Sequence, residues 1–272
     1  MPDVSQMKLG WNPDTPKMMA AMPNLADYQV DKEFAELMAK VPVKNSYSAA
    51  VTKQGKYGMR CNDKYGCCTI SNAANDIQTK SANAAHMLVV PDALVKSQYF
   101  GMTGGKDTGL YSDVVYKNWL SKGFFMSDDR YSDKLLAFAI VDPLNDDLIR
   151  FASYFFGALS YGVSLPNTAK YQMDKGLPWD YIAKPTAAQG SNEPASWGGH
   201  QIHVPDFTDL GETCVTWGEL QPMTKAFRKK YVDFASVTID LNFFNAVHKI
   251  PTMGLAYKDL VADIQKYLKA GV

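Results

Sequence analysis

Asn62-Asp63-Lys64-Tyr65-Gly66-Cys67-Cys68-Thr69 is the stretch that decides the fold. Behind it, Ile70, Ala73, Ala74 and Ile77 recur at helical spacing, which predicts a helix over 69–80 with Gly66-Cys67-Cys68 at its start. A helix N-terminus carries partial positive charge. A thiol placed there is eased toward thiolate, the form that reacts. Asn62, an amide six residues before Cys68, is a candidate donor to a developing oxyanion.

Working toward the C-terminus, Ser196-Trp197-Gly198-Gly199-His200 leads into a predicted strand, 200–204. His200 is the candidate base, because a nearby imidazole forms a thiolate–imidazolium pair with a cysteine. Gly198 and Gly199 leave room for a substrate backbone, and Gly66 does the same beside the thiol. Thr213-Cys214-Val215-Thr216-Trp217-Gly218 follows, with Trp217 seventeen residues past His200. The Thr216 hydroxyl is a candidate partner for the imidazole, and Trp197 and Trp217 are candidate cleft walls. Each residue alone has a plain structural reading: a small buried thiol, a satisfied core histidine, packing tryptophans. Cys67 reads as a packing thiol or one that modulates its neighbour. His203, three residues on, is expected on the opposite face of the strand. Asp206 and Asp209 reach His200 only if the chain turns back.

Together these residues resemble the papain-like cysteine peptidase superfamily. In that family a Cys opens the long helix of one lobe, an amide six positions earlier lines the oxyanion hole, and a His on the other lobe is base and then acid. An Asn–Ser–Trp–Gly stretch follows about seventeen positions later. The sequence is more similar still to a group of bacterial and phage proteins of this superfamily. They share Leu9-Gly10 near Pro13, Asn-Asp-x-x-Gly-x-Cys-Thr (62–69), Gly162–Pro166, Ser-Trp-Gly-Gly-His (196–200) and Thr-Cys-Val-Thr-Trp-Gly (213–218). The resemblance implies an α+β, two-lobe fold with a helical left lobe and an antiparallel, β-barrel-like right lobe. It implies a thiol hydrolase with Cys68 as nucleophile, His200 as base and Asn62 as oxyanion donor. Two positions depart from the pattern. Cys67 replaces the group's usual Asp, and the family's histidine-orienting Asn has no counterpart at Val215 or Thr216. That leaves a dyad, and it keeps open a second reading: a weak or inactive papain-fold structural protein, such as a phage virion component.

The rest of the chain fits around this core. Residues 1–45, punctuated by Pro2, Pro13, Pro16, Pro23 and Pro42, read as an arm with one short helix over 31–40, anchored by Trp11 and Tyr28. The arm would shield the cleft, as a propeptide does in papain relatives, or staple the lobes. The papain-like domain is expected over 46–272: a helical lobe over about 46–157, a β-rich lobe over about 158–250 and a closing helix over 255–269. Helices are also predicted at 91–98, at 111–121 and between Asn145 and Gly157. Strands are predicted at 158–165, 212–217 and 235–241, and a short basic helix or turn over 222–231. A long loop is predicted over 167–197.

The chain has 272 residues with 28 Lys+Arg against 28 Asp+Glu. A zero net charge argues against nucleic acid as a partner, and no 18-residue apolar stretch predicts a membrane helix. The N-terminus lacks a secretory pattern, which points to the cytoplasm or a virion. Four cysteines are too few for a disulfide scaffold, although a Cys61–Cys67 bridge is conceivable. No Cys-x-x-Cys pair exists, so no metal or cofactor is expected. Gly101–Asp107 has the wrong spacing for a phosphate loop. The expected partner is a peptide or protein substrate, with assembly partners under the virion reading.

Overall fold

The computed structural model describes residues 4–84, 86–125 and 132–269. The chain enters as a thread carrying strand β1 (Trp11–Asn12), then helices α1 (Pro16–Ala21) and α2 (Asp31–Met38). Thr15 starts α1 by accepting a bond from Met18 N, with Pro16 in the first turn where its missing N–H costs nothing. Strand β2 (Asn45–Ser46) and helices α3 (Ser48–Gln54), α4 (Cys68–Ala84) and α5 (Asp92–Thr103) follow. Next come β3 (Leu110–Tyr111), α6 (Ser112–Ser121), β4 (Phe124–Phe125), β5 (Ser132–Asp133), β6 (Ala137–Ile140) and α7 (Asp146–Phe156). Asn145 caps α7 through Leu148 N, and Gly157, at φ 91°, ends it in the left-handed region.

The second half is mostly sheet. It holds β7 (Leu159–Leu165), α8 (Asn167–Asp174), β8 (Gly198–Phe207), β9 (Gly211–Thr216), β10 (Glu219–Thr224), α9 (Lys225–Tyr231) and β11 (Val232–Ile239). Helices α10 (Leu241–His248) and α11 (Tyr257–Lys269) close the chain. Strands run β10-β9-β8-β7-β11-β6, all antiparallel, with β2 pairing beside β8. This is the α+β fold expected; the sheet is open among the described residues, loosely consistent with a barrel-like lobe, and its outer strands are flanked by short bridges, Trp179 with Met223 on β10 and Asn24 with Ile140 on β6. The loop expected over 167–197 also contains α8, held by Trp179 Nε1 donating to Ala169 O and Gln172 gripping Asp180.

Two buried polar devices lock the layers. Arg228 on α9 is fully buried and pairs with Glu212 on β9 and with Asp146 on α7. Removing one partner of such a set costs about 3–5 kcal/mol, because the other charge stays buried. The second device is α4 itself. It packs on β8, α3 and α10, yet Asn72, Asn75, Asp76, Gln78, Thr79 and Lys80 are all buried on it. Its polar atoms meet the sheet: Asn72 donates to Ser160 on β7, Thr79 pairs with His203 on β8, and Lys80 donates to Thr238 O on β11. His203 thus meets α4 further along than the Cys68 end, through Thr79.

Candidate active site

Cys68 is the first residue of α4, and Cys67 O caps that helix by accepting from Ile70 N and Ser71 N. The preceding loop is fixed by two left-handed residues, Arg60 (φ 56°) and Cys61 (φ 60°). Arg60 holds that turn from inside, donating to Val90 O and Gln78. Cys67 points away from the cleft, with Sγ on Arg60 O, and Cys61 Sγ reaches Asp92 O. Both are free thiols, so the conceivable Cys61–Cys67 bridge is not formed.

His200 lies on β8, with Nε2 2.8 Å from Thr216 Oγ1 on β9. Trp217 stacks flat on the imidazole, centroids 4.2 Å apart and planes 6° apart, and Trp197 stacks on Trp217 in turn. A two-residue hairpin turn puts Trp217 there: Trp217 (φ 47°) and Gly218 (φ 79°) link the paired residues Thr216 and Glu219. Both residues have positive φ, as a type I′ turn requires. A tryptophan in that region is unusual and marks a constrained site. Asp206 does not orient His200; it accepts from Ser48 N and Ser48 Oγ.

Asn62, Cys68, Ser71, Asn72, Asn75, His200, Gln201, Thr216 and Trp217 line one cavity of ≈ 10 Å³, room for about one water. His200 Nδ1, Asn72 Oδ1 and Asn75 Oδ1 have no hydrogen-bond partner among the described residues. Cys68 Sγ accepts from Gln201 N at 3.4 Å. Burial pushes the thiol up to about 11, against the opposing N–H groups of Gln201 and Gly10. Burial likewise pushes His200 down to about 3. The thiol and the imidazole are therefore both neutral, and no hydrogen bond joins them: His200 Nε2 is with Thr216, and His200 Nδ1 has no partner among the described residues.

The burial comes in part from the N-terminal thread, which lies against Asn62, Gly66 and Trp217. Asn62 Nδ2 donates to Lys8 O at 2.9 Å, Trp217 Nε1 donates to the same oxygen at 3.2 Å, and Lys8 N donates to Asn62 O at 3.1 Å. Gly10 fits against Gly66 so tightly that a Cβ on it would sit 1.9 Å from Gly66 O. Trp11–Asn12 then pairs in parallel with Leu110–Tyr111. The glycines expected to make room do so for this thread: Gly198 meets Leu9, and Gly199 meets Trp11 O. Sequence reasoning noted Leu9-Gly10 but not its place. It also missed Lys8, Ser112, Asn72, Asn75 and Gln201. The available signal was Gly162 and Gly199 inside strands, where a glycine marks close approach by another backbone or a ligand.

No protein-family model matches the chain, and no curated protein does. Solved structures match it in shape. Xylellain, a cysteine protease from Xylella fastidiosa, superposes with a TM-score of 0.63 at 14% identity, covering 87% of this chain and 97% of that one. Procathepsin B of Trypanosoma congolense gives 0.57 at 11% identity, over 87% and 88%. A cysteine protease of Carica candamarcensis, solved with E-64, gives 0.51 at 11% identity, over 74% and 99%. The fold is papain-like.

Proposed function

We propose that this chain is a papain-like thiol hydrolase of peptide or amide bonds, held closed by its own N-terminal arm. The observation that carries the reading is the Lys8 carbonyl on Asn62 Nδ2: the cleft already grips a peptide carbonyl beside the thiol. The similar folds named as cysteine proteases, one of them a pro-form, support it. Residues 1–45 act as the arm and 46–272 as the body.

With the arm out, water returns and the low-dielectric penalty on both charged forms falls. The Cys68 proton passes to His200, and the α4 N-terminus favours the thiolate. The thiolate attacks the carbonyl carbon, and the carbonyl electron pair moves to oxygen, met by Asn62 Nδ2 and the Cys68 N–H. The C–N bond breaks as the imidazolium gives its proton to the leaving amine. Water, deprotonated by His200, then hydrolyses the thioester, releasing the acid and restoring the thiol. Thr216 holds Nε2 in place of an amide. Trp197 and Trp217 wall the cleft. In the closed state the arm carbonyls are already engaged, Lys8 O by Asn62 and Trp217 and Gly10 O by Leu110 N.

The second reading, a catalytically silent papain-fold assembly protein, is favoured by a Cys68 and a His200 that are buried, neutral and not hydrogen-bonded to each other. One experiment separates them: the pH profile of Cys68 alkylation in a variant whose arm is displaced. A hydrolase keeps Cys68 reactive at pH 6, and His200→Ala removes that reactivity. A silent fold gives the profile of a free thiol, near pH 8.5, in both.

A further inference from the structure

The three orphaned atoms of the cavity, His200 Nδ1, Asn72 Oδ1 and Asn75 Oδ1, belong to residues only 1%, 5% and 5% exposed. All three residues line the same ≈ 10 Å³ space. Asn72 and Asn75 stand three residues apart on α4, so they share one face of that helix. Helix α4 packs on β8, the strand that carries His200. Asn72 is oriented from its other end, where Nδ2 donates to Ser160 Oγ at 2.9 Å. That bond fixes Oδ1 as the end of the amide left over. Of the described residues lining the cavity, only Cys68 and His200 titrate, so no carboxylate or lysine there serves the imidazole.

Counting hydrogens decides what belongs there. An amide oxygen can only accept, and a water has two hydrogens to give. Were Nδ1 a bare lone pair, three acceptors would compete for those two. With a proton on Nδ1, one water accepts from Nδ1–H and donates to both oxygens, and every group is served. From this balance we infer that Asn72 and Asn75 hold one water on His200 Nδ1 and through it position the imidazole, in place of the orienting amide that β9 lacks. Nε2 then accepts from the Thr216 hydroxyl at 2.8 Å, since the bond at one ring nitrogen sets the tautomer at the other. The water stands on its own; its part in catalysis rests on the hydrolase reading above. In that reaction the ring gains the proton that Cys68 loses. The proton reaches Nε2 by exchange with solvent once the arm is out, and Thr216 Oγ1 turns from donor to acceptor. The water goes on accepting from Nδ1–H, so the two amide oxygens behind it favour the charged ring.

The test starts from the unaltered full chain with nitrogen-labelled histidine. Its His200 signals, assigned by their loss in His200→Gln, are expected to show Nδ1 protonated and Nε2 bare at pH 7. A crystal structure is expected to place a water within about 3 Å of Nδ1 and of both amide oxygens. Neither measurement needs a variant to fold. Asn75→Leu, which removes one acceptor, should shift the proton toward Nε2, and the isosteric Asn75→Asp should keep it on Nδ1. In the Gly10→Ala background, the ratio of Cys68 alkylation at pH 6 to that at pH 9 should fall about tenfold with Asn75→Leu, the loss of one bond serving a charged group. Asn75→Asp should restore it, which a merely structural role would not predict. A dry cavity, a cation on a bare Nδ1, or a tautomer unchanged by Asn75→Leu overturns the inference. A water in place beside a Cys68 that titrates as a free thiol overturns the hydrolase reading and leaves the water site standing.

Discussion

Replacing Gly10 with alanine should raise the fraction of molecules whose cleft is open. The new Cβ would lie 1.9 Å from Gly66 O, 2.3 Å from Gly66 C and 2.4 Å from Gly66 Cα. All three are backbone atoms, and Gly66 cannot drift, because its N–H is bonded to Asp107, which also accepts from Tyr99 OH. Reaching ordinary contact needs a shift of about 1.5 Å, roughly the scale at which overpacking costs ~3 kcal/mol. What opposes release is the burial of Trp11, about 200 Å² at ~25 cal/mol per Å², or ~5 kcal/mol. Backbone and side-chain bonds at Lys8 and Gly10 add about 1 kcal/mol each. The clash does not exceed that sum, so the closed form persists. The open fraction still rises by a factor set by the clash, about 150-fold for 3 kcal/mol. Cys68 is 1% exposed when closed, so its alkylation reports the open fraction. Iodoacetamide labelling at pH 8, mapped by mass spectrometry to separate Cys61, Cys67 and Cys214, should accelerate about 100-fold. Gly101→Ala is the control, since a Cβ there meets nothing within 4 Å. A folded Gly10→Ala chain that labels within twofold of the original refutes the claim that the arm closes the site.

Acid should destabilise the protein through two buried imidazoles. Burial pushes His200 and His203 down to about 3, against about 6.5 in the unfolded chain. As pH falls from 6.5 to 3 the unfolded chain takes up two protons that the folded one refuses. Stability from these groups is whole above pH 6.5 and drops by about 2.7 kcal/mol per pH unit below it. Urea titrations from pH 6 to 5 should show that slope reduced by about half in His203→Gln; an unchanged slope rejects the assignment. Thr216→Val leaves His200 Nε2 unpaired and should cost about 1–3 kcal/mol, with Thr216→Ser close to the original; equal denaturation midpoints would count against the Thr216 bond. Cys67→Ser should leave Cys68 alkylation in the Gly10→Ala background unchanged, because Cys67 faces Arg60 O. A collapse in rate would move the nucleophile.

How far the sequence was legible varied with the range of the forces involved. Helix α7 was readable because Asn145 and Gly157 act on their own neighbours. The Cys68 helix was readable from its apolar spacing, although more than half its buried residues are polar and its true extent is Cys68–Ala84. Strand β10 was missed because Pro222 demotes the run Glu219–Thr224, and only an edge strand tolerates it. Helix α8 was hidden because its support, Trp179 and Asp180, comes from the loop that follows. Among site residues, the sequence singled out Asn62, Cys68, His200, Thr216 and Trp217, and the fold brings these to one cavity. The path of the arm was illegible. It depends on Gly66, Gly162 and Gly199, distant in sequence, each leaving space that no local pattern reports.

The most direct test of the central claim is peptide hydrolysis by the Gly10→Ala chain, followed with a pool of internally quenched peptides. The account predicts turnover that exceeds the unaltered chain, vanishes in Cys68→Ala and falls sharply in His200→Ala. Turnover that survives Cys68→Ala, or none at all from an open chain whose Cys68 is freely alkylated, would contradict it.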